Sequence, residues 1–274
     1  MGFWSYISRD NLKLRMADTA TTDDVLYRAV LENVSELIDQ YCQRTFRTVL
    51  ATRIFTAKYS DHIDVEDLLA VTSLKTDEDD NLTYEITWAV NTDYELQPYN
   101  APSDRHPYWR IKTRPNGNYT FPVGHQQGVQ IVGKWGYYED LETSASTAAE
   151  ALDASETGVD VTAGTDFDVL DTLLIDSEQM YVTAITTNTL TVVRGVNGTT
   201  AATHTTASVI QRYRYPGPIV EACGIQAARY FMRKNAPFGV MGTADVGFVR
   251  LRGLDMDVKE AIDRYALATF GAPV

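Results

Sequence analysis

Apolar side chains recur every three or four residues in three stretches of the chain, which is the spacing of a helix with one buried face. The first stretch, residues 22–44, carries an apolar stripe formed by Leu26, Val30, Val34, Leu37, Ile38 and Tyr41. Thr21 or Thr22 can cap it, and Asp23 and Asp24 suit the positive end of a helix. The pattern therefore predicts one long amphipathic helix near the start of the chain.

Two more helices are predicted in the last quarter of the chain. One is opened by Pro218, and small residues give it a narrow face suited to close packing: Ala222, Gly224, Ala227 and Ala228. The other is capped by Asp255 and aligns Val258 with Ile262. The stretch between them, residues 236–254, is rich in glycine and is predicted to be a flexible loop.

A period of two replaces the helical spacing after residue 47, which is typical of half-buried strands. The strand candidates are residues 48–59, 68–74, 82–90, 93–96, 108–113, 119–121 and 128–134. Polar turns separate them, among them the acidic run 77–81, which lacks the glycine and the distal Glu of a calcium-binding loop. Together these segments predict a mostly antiparallel sheet.

A second group of strand candidates lies in residues 158–214, where Met180, Val182 and Ala184 alternate with the side chains between them. Short strands and polar turns predict a small all-β barrel or sandwich there. The preceding residues, 139–157, are rich in Ala, Ser, Thr and Glu. We expect them to form a linker with at most a weak helix.

The junction between the last strand of the first group and the helix opened by Pro218 suggests how these parts combine. The strand ends in Trp135-Gly136-Tyr137, and such a strand and helix are normally joined by a short turn. Here 76 residues, 139–214, separate them. We therefore interpret the second group of strands as an insertion.

This interpretation gives an α+β fold class and a discontinuous domain organisation. Residues 1–138 and 215–274 form the host domain, with a helical core of three main helices and an antiparallel sheet. Residues 139–157 form the linker and residues 158–214 the inserted β module. Residues 1–20 are expected to be an irregular arm with exposed aromatic side chains.

The net charge of −13 is concentrated in the middle of the chain. Twelve Asp and Glu residues lie from position 139 to position 178, and no Lys or Arg occurs between Lys134 and Arg194. Removing these twelve from the 37 acidic residues leaves 25 against 24 basic ones. Tight or sequence-specific nucleic-acid binding needs a basic surface, so this distribution argues against it. No run approaches 18 apolar residues, so no membrane partner is expected.

Residues that usually carry chemistry are scattered along the chain. The histidines at 62, 106, 125 and 204 lack metal-ligand spacing. Cys42 and Cys223 are predicted to be reduced core residues. His204 with Asp176 or Glu178 would make an acid–base pair, but no nucleophile lies at a fixed spacing from it. We therefore expect no enzymatic activity, no metal and no cofactor.

Several short motifs follow one another in order along the host domain. They are Ile38-Asp39, Tyr41-Cys42, Arg44 and Phe46, then 63–69 and Val71-Thr72-Ser73-Leu74, then Asp93-Tyr94-Glu95-Leu96 and Pro98, the Gly-x-Trp-Gly-Tyr of 133–137 and the helix 219–233. In this order they resemble the head–tail adaptor (head-completion, or connector) proteins of tailed bacteriophages, over residues 22–138 and 215–270. In that family the strand corresponding to 128–134 is followed almost directly by the helix. In this chain residues 139–214 lie between the two.

The inserted module has a resemblance of its own. Its motifs are Glu178-Gln179-Met180, Thr189-Leu190-Thr191-Val192, Arg194-Gly195, Asn197-Gly198-Thr199 and His204. They are similar to a small β module that recurs in phage virion proteins.

The resemblance implies a structural virion protein at the head–tail junction, assembled in the host cytoplasm. It implies a homo-oligomeric ring, commonly a dodecamer of twelve subunits, docked between the portal protein and the tail or its stopper or terminator protein. Genomic double-stranded DNA would pass through the channel without sequence-specific binding.

Two sets of residues are expected to contact these partners. The portal interface is expected in the last segment of the chain, at Arg250, Arg252, Tyr265 and Phe270. Tail-side or other partner docking is expected at Trp4 and Tyr6, because aromatic side chains anchor interfaces.

Two other classes of function remain open. A carbohydrate-binding or adhesive virion protein would need a concave aromatic strip, for which the module offers Phe167, Tyr181 and Tyr213. An enzyme would need a convergent polar site, such as paired carboxylates of the kind that Asp168, Asp171, Asp176 and Glu178 could supply.

Overall fold

The computed structural model describes residues 3–235, 240–241, 249–250 and 253–267. The chain divides into two compact units, one formed by Met1–Arg44 with Asp140–Val274 and the other by Thr45–Glu139. The helices and the inserted module thus belong to one unit, and the sheet that precedes the insert forms the other. The fold class is α+β, as predicted, and the predicted domain boundaries stay a prediction.

The Thr45–Glu139 unit is built on a six-stranded antiparallel sheet. Its strands are β1 (Val49–Phe55), β2 (His62–Thr76), β3 (Ile86–Trp88), β4 (Tyr94–Gln97), β5 (Tyr108–Thr113) and β6 (Val129–Trp135). They follow the order β1-β6-β2-β5-β4, with β3 paired to β2. A strand is confirmed in six of the seven predicted segments, and β2 also includes residues 62–67, which the pattern does not predict. Residues 119–121 are not a strand, but Phe121 still stacks on Trp88 at 4.7 Å and fills the core.

The end of β6 explains the Trp-Gly-Tyr motif in physical terms. Trp135 is fully buried and donates its indole N–H to the carbonyl of Ala51 at 2.9 Å. Gly136 has φ +147, and a Cβ there would lie 2.4 Å from the carbonyl oxygen of Arg47. Any side chain would therefore push the strand end away from the neighbouring backbone.

Among the described residues of the other unit there are four α-helices: α1 (Arg9–Arg15), α2 (Asp24–Cys42), α3 (Gly217–Met232) and α4 (Met256–Asp263). The three predicted helices are confirmed, and α1 corrects the expectation of an irregular arm at residues 1–20. Ser8 caps α1 by accepting from the backbone N–H of Asn11. Asp23, rather than a threonine, is the N-cap of α2, and it makes no side-chain capping bond.

Helices α2 and α3 pack through their apolar and small-residue faces. The ring of Tyr27 stacks on that of Phe231 at 4.0 Å, and Ser35 Oγ lies 3.6 Å from Cys223 Sγ. Cys42 and Cys223 are both buried and unbridged, as predicted. The narrow face of α3 is thus used for close helix packing within the unit.

The predicted module, together with residues 140–157 before it, forms a second six-stranded antiparallel sheet, and the name inserted module is used below for residues 140–214. Its strands are β7 (Asp140–Thr147), β8 (Gly158–Asp160), β9 (Thr172–Ile175), β10 (Glu178–Thr186), β11 (Thr189–Val193) and β12 (Val209–Arg214), in the order β7-β12-β9-β10-β11-β8. The expectation of a linker at residues 139–157 is wrong for β7, because this strand pairs with β12 from Asp140↔Arg214 to Val209↔Thr147.

The two ends of this sheet, β7 and β8, are not paired as strands, and their backbones meet at an isolated bridge between Ala148 and Val161. The backbone N–H of Ala149 donates to Asp160 at 2.7 Å, and that of Thr162 donates to Thr147 at 3.0 Å. Within the described residues the strand path is therefore open rather than a closed barrel. Eleven buried side chains, from Leu152 to Ile210, fill its core.

The predicted loop at residues 236–254 is described only in part. Two short strands, β13 (Val240–Met241) and β14 (Val249–Arg250), pair antiparallel there, which corrects the expectation of a loop at those four positions. Among the described residues, no helix has the length and apolar character needed to span a membrane.

Candidate functional site

The N-terminal segment is fastened to the helices of its unit by Tyr6. Its backbone N–H donates to Ser35 Oγ at 3.1 Å, and its phenolic hydroxyl donates to the carboxylate of Asp39. The ring meets that of Tyr215 edge-on, with 4.8 Å between centroids. Tyr6 is 2% exposed. The expectation that this side chain is exposed is therefore wrong, and its role in docking stays a prediction.

The two aromatic residues before Tyr6 are more accessible. Trp4 is half-buried, and Phe3 is 43% exposed. The ring of Phe3 lies 6.2 Å from that of Tyr181, and the guanidinium of Arg28 lies 5.8 Å from the Phe3 ring centroid. Among the predicted docking residues, Trp4 is thus the one with accessible surface.

Of the predicted portal-interface residues, Tyr265 lies beside α4. Tyr265 is half-buried just after that helix, with the guanidinium of Arg264 5.3 Å from its ring centroid. Arg250 pairs through its backbone with Val240, and its side chain lies outside the described residues. Arg252 and Phe270 also lie outside them. The structure therefore places only Tyr265 of this set with its side chain.

Helix α4 is anchored at both ends. At its start, Asp255 pairs with Arg229 at 2.5 Å and accepts from the backbone N–H of Asp257. At its end, Tyr41 donates to Asp263, and the N–H of Leu267 donates to the carbonyl of Cys42 at 3.0 Å. The surface beside Tyr265 is thus fixed to α2 and α3.

The inserted module also packs on α2. The buried carboxylate of Glu32 accepts from Arg28 Nε at 2.9 Å and from the hydroxyl of Tyr181, on β10, at 3.2 Å. Burial raises the pKa of Tyr181, and the adjacent Glu32 raises it further. A sequence pattern does not reveal this contact, because the residues that make it are 149 positions apart.

The acid–base pair considered for His204 exists as a network in which His204 and Glu178 are buried and Asp176 is exposed. His204 Nδ1 lies 2.7 Å from Asp176 Oδ2, and Nε2 lies 2.9 Å from Glu178 Oε2. Sequence reasoning missed the fourth member, Arg194, whose guanidinium contacts both carboxylate oxygens of Glu178 at 2.6 and 2.7 Å. A signal for it exists, since Arg194 ends a run of 59 residues without a positive charge.

The electrostatics of Glu178 show what this network does. Burial alone would raise its pKa, but hydrogen bonds from Arg194, the Ala202 N–H and His204 outweigh burial and lower the pKa to about 2. A carboxylate held in its charged form by this many donors is a poor general acid or base near neutral pH. These hydrogen bonds instead hold separate loops of the module in place around Glu178.

The acidic run at residues 77–81 is a closed loop with one buried member. Asp77 is fully buried, and it accepts from the backbone N–H groups of Asp79, Asn81 and Leu82, the last at 2.7 Å. Burial raises its pKa, but these bonds bring it below the usual value. Oxygens of Asp77, Asp79 and Glu85 come within 4.8 Å of one another, close enough to share an ion. The bonds to Asp77 already account for the shape of this loop.

Comparisons with known proteins give little further information. No protein-family model matches the sequence, and no curated protein matches it. One solved structure, described as the neck of an empty GTA particle computed with C6 symmetry, aligns with 97% of this chain and 93% of its own. The identity is 10% and the TM-score 0.43. A likeness of this degree supports no conclusion on fold or function.

Proposed function

We propose that this chain is a structural virion protein that forms a ring between the portal of a capsid and its tail, through which the DNA genome passes. One observation carries the proposal. Helix α2, the sheet that ends in Trp135-Gly136-Tyr137 and helix α3 follow each other as the adaptor resemblance requires, and the insert falls at the junction before Pro218.

The packing of the helices supports this assignment. In α3 the residues Ala222, Cys223 and Ala227 are fully buried, and a Cβ at Gly224 would lie 3.1 Å from Arg15 Nε. Close helix contacts of this kind give a rigid body, and a ring subunit needs one because small angular errors prevent closure of a ring. The inserted module is bound to the same helices through Glu32 and Tyr181.

The charges of the module support passage of DNA without binding. Its three cations are already engaged: Arg194 with Glu178, and Arg212 and Arg214 with Glu142. They contribute little free positive charge for phosphates, while Glu150, Asp153 and Asp176 are exposed acidic residues of the same region. A surface of this kind repels the DNA backbone.

The finer points of the proposal follow from the resemblance. The ring would contain twelve subunits, with Arg250, Arg252, Tyr265 and Phe270 towards the portal and Trp4 towards the tail or its stopper. The protein would have no catalytic activity of its own. The module would be a small all-β barrel or sandwich whose strand path is left open at the Ala148–Val161 bridge.

The alternative of a carbohydrate-binding virion protein has less support. Phe167, Tyr181 and Tyr213 are 4%, 0% and 8% exposed, so their rings do not form an accessible aromatic strip. Stacking of sugars needs exposed ring faces, and these three rings are part of the packing instead.

Electron microscopy of the purified chain, alone and with a portal protein, tests the proposal. We expect rings in at least the mixture, and we expect heads and tails to stay unjoined when the gene is absent. Tyr265→Ala should weaken portal binding, whereas Tyr99→Ala, which removes a 64% exposed tyrosine of the other unit, should not. A monomer that ignores the portal and binds glycans would contradict the assignment.

A further inference from the structure

A cavity of about 730 Å³ opens in the unit that contains the helices and the inserted module. The N-terminal segment, α1, the start of β9, the end of β12 and the start of α3 surround it. Its charged and amide side chains are Asn11, Arg15, Asp171, Arg214 and Glu221. The volume is in the range of small-molecule sites, and a group the size of an amino-acid side chain fills only part of it.

The positive charges of this cavity are already compensated. Arg15 contacts both carboxylate oxygens of Glu221, at 2.7 and 2.5 Å, and Arg214 pairs with Glu142. These pairs leave little free positive charge that would attract an anion. An anionic ligand is therefore disfavoured.

Asp171 differs from the other charged side chains of the cavity. Its Oδ2 accepts from the backbone N–H of Asp168 at 2.9 Å. Within the described residues, Asp171 makes no ion pair, and its second carboxylate oxygen has no hydrogen-bond donor. A carboxylate left with a free oxygen in a cavity is a ready acceptor for a donor from outside.

The energetics of this carboxyl agree with its geometry. Burial raises the pKa of Asp171 to about 6, and the negative charge of Asp168 adds to this effect. The Asp168 N–H and the more distant charges of Arg212 and Arg214 act in the opposite direction. At neutral pH the group is ionised at a cost that a bound cation would offset.

We propose that the cavity beside Asp171 binds a cationic, hydrogen-bond-donating group of the guanidinium or primary-ammonium class. A guanidinium group presents a fork of N–H donors that matches a carboxylate, and an ammonium group supplies three donors around one charge. The group can belong to a side chain of another protein or to a free amine. The inference is independent of the proposed ring.

Titration calorimetry of the full chain tests this proposal with three probes and one neutral control. The probes are argininamide, N-acetylarginine methylamide as a peptide-borne guanidinium, and spermidine as a free polyamine. N-acetylcitrulline methylamide has the shape of N-acetylarginine methylamide and carries no charge. We expect saturable binding of at least one probe and none of N-acetylcitrulline methylamide. Preference for the capped arginine indicates a protein side chain, and preference for spermidine indicates a free amine.

Two matched variants identify the site. Asp171→Asn keeps an oxygen for the Asp168 N–H and removes the charge, so we expect at least about tenfold weaker binding. Asp104→Asn removes an exposed carboxylate of the other unit and should leave the affinity unchanged. Thermal unfolding of each variant shows that it is folded.

The pH dependence gives a second measurement on the same material. From about pH 7.5 to about pH 5 the affinity of the wild type should fall as Asp171 takes up a proton. Asp168, Arg212 and Arg214 act on Asp171, and the Arg15–Glu221 pair lines the same cavity. Asp171→Asn should therefore lose the fall between these pH values.

Three results overturn the proposal. They are no saturable binding of any of the three cations, equal affinity of the wild type and Asp171→Asn, and an equal loss in Asp104→Asn, which would show attraction to the net negative charge alone. None of these results bears on ring formation, so the proposed function can stand or fall separately.

Discussion

Arg194 and Glu178 form a side-on pair in the inserted module, with Nε–Oε1 2.6 Å and Nη2–Oε2 2.7 Å apart and both side chains buried. Glu178 also accepts from the N–H groups of Gly195 and Ala202. Arg194 donates to the carbonyls of Asp153, Glu156 and Ala202. The pair thereby connects β10 to three separate loop segments. The Arg-Gly and Glu-Gln-Met motifs of the sequence are the two sides of this contact.

Replacing Glu178 by Gln should destabilise the module strongly. The amide keeps the shape but leaves Arg194 buried without a counter-charge, a change that typically costs about 3–5 kcal/mol of unfolding free energy. Glu142→Gln is the matched control, because Glu142 is 46% exposed and its ion pairs are worth about 0–1 kcal/mol. Urea unfolding measures both. Similar losses in the two variants would show that the Glu178 pair is not special.

Acid should weaken the same module through Glu178. Its pKa is about 2 in the folded chain against an ordinary value of 4.5, so its contribution is complete above about 4.5. That contribution is lost as the pH falls from about 4.5 to about 2. The unfolding free energy of the wild type should decline through this window, and that of Glu178→Gln should decline less. Parallel pH profiles for the two proteins would contradict this assignment.

Asp171 should act on stability in the opposite direction. Its pKa is raised from 3.8 to about 6, so the folded chain loses stability as the pH rises through that interval. Asp171→Asn should therefore raise the unfolding temperature above about pH 6 and make no difference below about pH 3.8. Scanning calorimetry at both ends of the range measures this. Asp104→Asn, on an exposed site, is expected to show neither effect.

Gly136→Ala should destabilise the sheet of the Thr45–Glu139 unit. Its φ is +147, and a Cβ would lie 2.4 Å from the Arg47 carbonyl oxygen, so both the backbone and the contact oppose a side chain. We expect a loss of about 1–3 kcal/mol in unfolding free energy. Gly217→Ala is the control, since nothing lies within 4 Å of its Cβ position and its φ is not in the left-handed region. If the two variants unfold alike, the requirement for glycine at the end of β6 is wrong.

The sequence predicts the elements whose buried face is apolar. In strand β6 the apolar and the buried positions coincide. Helix α2 also follows from its apolar period, but of the predicted stripe only Val34 and Ile38 are buried, because the buried face runs through Tyr27 and Leu31. Strand β7 escapes prediction because its buried residues, Ser144 and Ser146, are polar and give no alternating apolar signal. Their hydroxyls bond to Asp166 and Thr162 instead. Helix α1 is not predicted, because it is short and mostly charged, although Ser8 and Asn11 mark its start.

The candidate sites are harder to predict from the sequence than the strands and helices, because they depend on contacts between residues that are far apart along the chain. The sequence suggests that His204 meets Asp176 or Glu178, and the structure shows both contacts. The cavity beside Asp171 has no sequence signal, because its walls come from residues 5–15, 170–172 and 213–221, and only the fold brings them together. The free oxygen of Asp171 is likewise visible only once its neighbours are placed.

Tyr6→Phe separates an internal role of Tyr6 from a docking role. The variant keeps the ring against Tyr215 and loses the hydrogen bond to Asp39, so we expect a loss of about 1.5–3 kcal/mol in unfolding free energy, the range for hydrogen bonds to charged groups. Tyr84→Phe is the matched control, since the hydroxyl of Tyr84 donates to Gln127 at an exposed site. Chemical unfolding of both variants, with a virion-assembly assay, makes the comparison. A tyrosine that docks a partner would instead reduce assembly and leave the unfolding free energy unchanged, and that result would restore the expectation drawn from the N-terminal aromatic residues.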